Sequence, residues 1–144
     1  MLKISTAVLT LAVALAGCAS FSPSPQAMQA VRIEGTPGKA VIYVVRGNPD
    51  LSIVAAQIAL DGELLGTSYA GTYFRVEVPA GRHRLSGYGV DGGNISIDVQ
   101  ADRVYFIQQY VTGIRRSPTS LSSSYKVIDE ARARATMVGA ARNG

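Results

Sequence analysis

The chain has 144 residues, of which 47% are hydrophobic and 17% charged, with a formal net charge of +4. Once a short N-terminal segment is set aside, this length supports one domain with a single core and not two. A lone cysteine excludes a disulfide framework, and a lone histidine, His83, excludes a metal site built on several histidines. Basic residues are scattered singly or as the pairs Arg82/Arg84 and Arg115/Arg116, without interleaved aromatics, which argues against nucleic acid.

Lys3 supplies a minimal positive start, and Ile4 to Ala16 is apolar apart from Ser5, Thr6 and Thr10. A short apolar run ending in small residues reads as a secretory signal. It is too short for a permanent span, which needs about 20 apolar residues. Leu15-Ala16-Gly17-Cys18 resembles the lipobox of bacterial lipoproteins. The resemblance implies cleavage after Gly17, a thioether-linked diacylglycerol on Cys18 and an acylated new N-terminus. The membrane would then be a partner through Cys18. Several acyl chains hold firmly, since each buried CH₂ contributes about 0.8 kcal/mol. Cys18 is followed by Ala19 and Ser20 rather than by Asp, so the same resemblance points to the outer membrane, on its periplasmic side. Loss of Lys3 with the signal lowers the formal charge from +4 to +3.

Three regions follow: a lipoprotein signal over 1–17, the lipidated cysteine and a flexible tether over 18–39, and a β domain over 40–144. Ser22-Pro23-Ser24-Pro25 and Gly35-Thr36-Pro37-Gly38 mark the tether. Its last part allows an ordered strand around Val31 and Ile33. Ala40 to Arg46 is β-branched and aromatic, apolar on both faces, and fits a central strand. Gly47-Asn48-Pro49-Asp50 stops it. Ile53 to Leu60 places Val54, Ala56, Ile58 and Leu60 on one face, and Asp61-Gly62 signals a hairpin. Thr72 to Val78 alternates with Phe74, Val76 and Val78 inward and Tyr73, Arg75 and Glu77 toward water. Pro79-Ala80-Gly81 turns into Arg82 to Tyr88, with His83 and Leu85 on one face. Asp91-Gly92-Gly93 turns again into Asn94 to Val99, and Arg103 to Thr112 is strongly β. Arg115 to Ser124 reads as a polar loop, Tyr125 to Ile128 as an edge strand, and Asp129 to Ala141 as a short helix with Ala131, Ala135 and Val138 as its apolar stripe. About seven short antiparallel strands broken by Gly, Pro and Asp turns, followed by a C-terminal helix, predict an all-β sandwich, with a small barrel as the alternative.

The opening strand Ile42-Tyr43-Val44-Val45-Arg46, the hairpin Leu60-Asp61-Gly62-Glu63-Leu64-Leu65-Gly66, Gly71-Thr72-Tyr73-Phe74, Val78-Pro79-Ala80-Gly81-Arg82-His83 and Tyr105-Phe106 resemble the bacterial lipoprotein family called domain of unknown function 2846. The resemblance covers roughly Ala40 to Val127. The hairpins are also similar to PEGA-type β modules, with Pro79-Ala80-Gly81 as a partial match. Both resemblances imply a location and a fold, and neither implies a substrate.

No catalytic set stands out. His83 beside a Pro-Ala-Gly turn reads as a packing or hydrogen-bonding residue, and no Gly-x-Ser-x-Gly elbow is present. Asp50, Asp61, Asp91 and Asp102 read as turn residues. No cofactor, metal or catalytic residue is expected. The chain is expected to be a non-catalytic envelope binding or structural module that meets a protein or glycan partner through the loops Arg46 to Leu51 and Ile114 to Ser124. The alternative is an envelope hydrolase or transferase with a site around His83 and the Asp91 to Asp98 region.

Overall fold

A computed structural model describes residues 31–48, 50, 54–114 and 117–143. Two sheets pack face to face, and a helix covers the outer face of the larger one. The strands are β1 (Ala40–Arg46), β2 (Ala56–Leu60), β3 (Glu63–Ser68), β4 (Thr72–Val78), β5 (Gly81–Gly87), β6 (Asn94–Val99), β7 (Val104–Ile114), β8 (Ser117–Ile128) and β9 (Ala141–Arg142), with α1 (Glu130–Met137) before the last. One sheet runs β8-β7-β1-β4-β9 and the other β3-β2-β5-β6. The expected all-β sandwich with a short C-terminal helix is therefore the observed fold. Two neighbour pairs, β1 with β7 and β4 with β9, are parallel rather than antiparallel. The first arises because the chain visits the second sheet twice before returning beside β1.

The double-sided burial of β1 follows from its place. Ala40, Ile42 and Val44 join Ile58, Phe74, Leu85 and Ile107 between the sheets. Val41, Tyr43 and Val45 point the other way, into a second cluster with Phe106, Ile128, Ala133 and Met137. The Tyr43 ring stacks on Phe106 and Tyr73, with centroids 5.6 and 6.1 Å away, a spacing at which aromatic pairs add to area burial. Val31 and Ile33 pack on this cluster too. The residues ahead of β1 thus form a strap across the face of β4 that alternation assigns to water. Tyr43 Oη accepts from Glu34 N at 3.0 Å, Arg75 donates to Glu34 O at 3.2 Å, and Thr36 Oγ1 donates to Glu77 at 2.6 Å.

The turns obey their chemistry. Asp61 (φ 51°) and Gly62 (φ 90°) both take positive φ in a two-residue hairpin between Leu60 and Glu63. A bulge leaves Leu65 of β3 unpaired opposite the Ile58–Ala59 step of β2.

Two expectations need correction. The polar stretch after Arg116 is not a loop: Ser117–Ile128 is an edge strand paired to β7 at Ser117 and over residues 122–128, with residues 118–121 bulged between. Backbone pairing, which is indifferent to side-chain polarity, holds it there, and its buried Ser123 meets a polar site rather than an apolar core. The helix buries Ala133 and Met137, four residues apart, not the Ala131, Ala135 and Val138 stripe. Val138 is the C-cap and Gly139 (φ 73°) ends the helix, so neither continues a helical face. Asp129 caps the other end, accepting from Arg132 N at 2.8 Å. No helix among the described residues is long and apolar enough to cross a membrane.

Candidate functional site

The two ends of the sandwich differ. At one end lie the turns Asp61-Gly62, Pro79-Ala80 and Ala101-Asp102. At the other lie the chain after β1, the β3–β4 turn, the β5–β6 hairpin and the β7–β8 connection. This second end holds a buried polar network. Arg46 turns inward from the last position of β1, and its Nε donates to Asp50 Oδ2 at 2.5 Å, with the two side chains 1% and 2% exposed. Its Nη1 donates to Ser68 O at 3.1 Å. Ser68 Oγ donates to Gln109 Oε1 at 2.7 Å, and Gln109 Nε2 donates to Ser123 Oγ at 3.0 Å. Ser123 Oγ donates in turn to Asp91 Oδ2, and Asp91 Oδ1 accepts from Ser123 N at 2.7 Å and Gly93 N at 3.0 Å. The network crosses from one sheet to the other and closes with groups that carry no solvent exposure to speak of.

Glycine makes the approach possible. A Cβ on Gly87 would fall 2.1 Å from Asp91 Cγ, and one on Gly93 would fall 1.5 Å from Ser123 O. Tyr125 borders the network, and its buried hydroxyl makes no hydrogen bond among the described residues. Burial, reinforced by nearby Asp91 and partly offset by Ser123 and Gln109, pushes it up to about 12.

On the helix side of the same end is a half-open cleft of about 470 Å³. Asn48, Gln108 and Thr136 line it beside Gly47, Gly71 and Gly139. Gln108 is held by Arg132, whose Nε donates to its Oε1 at 3.1 Å. Carboxamide and hydroxyl groups without formal charge suit a neutral polar group better than an ion.

His83 lies at the opposite end. Its Nδ1 faces Asp61 Oδ2 at 2.6 Å and its Nε2 faces Pro79 O at 2.9 Å. Both neighbours are acceptors, so the ring fits best as an imidazolium that donates twice. Burial works against the charge, but Asp61 and the Pro79 carbonyl outweigh it and hold the His83 pKa above its ordinary value. The same contact lowers Asp61. His83 therefore clamps the Asp61-Gly62 hairpin to the Pro79 turn. The structure does not gather it with Asp91 and Asp98: Asp91 is buried beside Ser123, and Asp98 is opposite Arg82. Gly17 and Cys18 lie outside the described residues, as do Pro49, Leu51, Arg115 and Arg116 of the expected contact loops. Arg46 of the first loop is buried and presents nothing outward.

The buried network escaped the sequence reading because Asp50 and Asp91 look like ordinary turn acids. The signal that marks it is Gln108-Gln109 inside the otherwise apolar strand Phe106-Ile107-Gln108-Gln109-Tyr110-Val111. Two carboxamides in a sheet interior call for polar partners.

No curated protein matches the chain. The profile of a family described as proteins of unknown function, DUF2846, matches residues 36–120, from the strap through the first part of β8 and so across both sheets. That span is more than half of the chain and carries Arg46, Asp50, Ser68, Asp91 and Gln109, and the chain belongs to the DUF2846 family.

Proposed function

We propose that the protein is a bacterial envelope lipoprotein, a non-catalytic binding or structural module held at a membrane by acylated Cys18. The observation that carries the reading is Leu15-Ala16-Gly17-Cys18 at the end of a short apolar run, with the sole cysteine at the acceptor position. In this reading residues 1–17 are removed, the outer membrane facing the periplasm is the site, and an envelope protein or glycan is the partner. The fold is compatible with anchoring. Residues 19–30 join Cys18 to a strap that the domain grips through Tyr43, Arg75 and Glu77, so the domain stays close to the bilayer.

The test is metabolic labelling with a palmitate analogue, followed by cross-linking capture from whole envelopes. Wild-type protein should carry label, sediment with membranes and enrich one protein or glycan. Cys18→Ala should lose the label and the enrichment. An unlabelled wild-type protein would refute the anchor, and equal enrichment by both forms would refute a role for anchoring in binding.

A further inference from the structure

We propose that the end of the sandwich holding the buried network seats on the phospholipid headgroups of the membrane that carries the anchor, with the His83 end pointing away. The inference rests on the lipidation reading and adds an orientation to it. Three observations converge.

The first is the direction of the chain. Thr36 lies at Glu77, opposite Val41, and Glu34 lies at Tyr43, farther along β1. Moving back toward Val31 therefore means moving toward the end where β1 finishes. The described chain thus begins on that side, at Val31. Residues 19–30 span at most about 40 Å, so the anchor keeps this end near the bilayer.

The second is the distribution of exposed apolar side chains. Tyr69 (51% exposed) tips the β3–β4 turn, and Tyr88 (46%) and Val90 (64%) tip the β5–β6 hairpin. Val138 (61%) stands beside the cleft at the helix terminus. These four of the six exposed large apolar side chains among the described residues belong to the same end; Leu64 (50%) lies beside the far hairpin and Val127 (51%) along β8. Tyrosine combines an apolar ring with a polar tip, which suits the headgroup layer.

The third is charge. Both acids at this end, Asp50 and Asp91, have buried side chains. Among the described residues the exposed carboxylates lie elsewhere. Asp61, Glu63, Glu77, Asp98 and Asp102 lie at the far end, interspersed with Lys39, Arg82, Arg84 and Arg103, while Glu34 and the helix start at Asp129 and Glu130 lie about halfway. An anionic headgroup layer repels exposed carboxylates, so the end that bares none among the described residues is the one suited to face it. Arg142, exposed beside Tyr73, adds a cation to the membrane side.

The chain has no tryptophan, so single substitutions report depth. Tyr88→Trp, Val90→Trp and Ala80→Trp would each be made in full-length lipidated protein and reconstituted into phosphatidylglycerol–phosphatidylcholine vesicles with or without brominated acyl chains. Tyr88→Trp and Val90→Trp should lose on the order of half their emission to bromine, as expected of indoles at the interface, and Ala80→Trp should lose none. Equal quenching at both ends, or none at Tyr88→Trp and Val90→Trp, would overturn the orientation while leaving the anchor intact. Vesicle flotation and the intact mass separate the two failures: a Cys18 without acyl chains overturns the anchor and the orientation with it.

Discussion

Asp91→Ala tests whether the buried network holds the two sheets together at one end. The carboxylate accepts three hydrogen bonds, from Gly93 N, Ser123 N and Ser123 Oγ. Gly93 is partly exposed and can find water; Ser123 is 3% exposed and cannot. The alanine variant therefore leaves two buried donors unmet, at about 1–3 kcal/mol each. With the lost link between hairpin and edge strand, a destabilisation of about 3–5 kcal/mol is expected, a large share of the about 5–15 kcal/mol that holds a typical domain. Asp91→Asn is the informative partner. Its carbonyl oxygen can still accept from both backbone amides. Its amide group, however, points a donor at Ser123 Oγ, which already accepts from Gln109 Nε2. The serine proton must then find a new acceptor, and the unpartnered Tyr125 hydroxyl borders the site. The cost should fall to about 1–2 kcal/mol. Urea unfolding followed by circular dichroism measures both. If Asp91→Ala lies within about 1 kcal/mol of wild type, or Asp91→Asn is as harmful as alanine, the network is not what joins the sheets here.

Gly93→Ala should be worse than Asp91→Asn, since its Cβ meets the Ser123 carbonyl at 1.5 Å and backbone must move; a loss of at least about 3 kcal/mol is expected, and an unchanged melting temperature would refute the close approach. Met137→Ala, truncating a fully buried side chain, should cost about 2–5 kcal/mol, whereas Val138→Ala should stay within about 0.5 kcal/mol; thermal melts that reverse this order would refute the assigned helix face. The His83 clamp makes stability depend on pH. Because the folded His83 pKa is raised above 6.5, its contribution is complete below the unfolded value and is lost as pH rises through the folded value. Unfolding free energy should therefore decline through and above neutral pH in wild type and decline less in His83→Gln, and equal slopes in the two would refute the clamp.

Legibility in the sequence followed the physical origin of each element. β1, β4, β5 and β6 show their faces by alternation or by continuous apolarity, because their side chains meet one or two apolar layers. Asp61-Gly62 shows because only a few residues accept positive φ twice in succession. Two kinds of feature stayed hidden. β8 is long but polar, since its stability comes from pairing with β7 and its buried Ser123 serves a network. The strap showed only as a strand allowed around Val31 and Ile33, because these alternate over too few residues to announce a covered surface, and Tyr73, which they cover, looks equally suited to a wet face. The site was illegible for the same reason. Its members come from β1, β3, β7, β8 and two turns, and only the topology brings Arg46, Ser68, Gln109, Ser123 and Asp91 into one line.

The strap also decides how a pull on the N-terminus reaches the fold. Force arriving through residues 19–30 meets residues 31–36 first, which are held by side chains: Tyr43 on Glu34, Arg75 on Glu34 and Thr36, and Arg134 on Val31. These contacts are partly solvated and individually worth about 0.5–1.5 kcal/mol, so they yield one at a time. The next unit is β1, which is paired on both sides along its whole length, to β4 and to β7. Because the strap runs back along β1, tension directed toward the β1 C-terminal end loads these ladders lengthwise, so that many hydrogen bonds share the load instead of opening in succession. A domain gripped through its central strand keeps its core when the leading segment peels away. An N-terminal anchor on this fold therefore loads its best-protected strand, and the edge strands β8 and β3 carry no part of the tether.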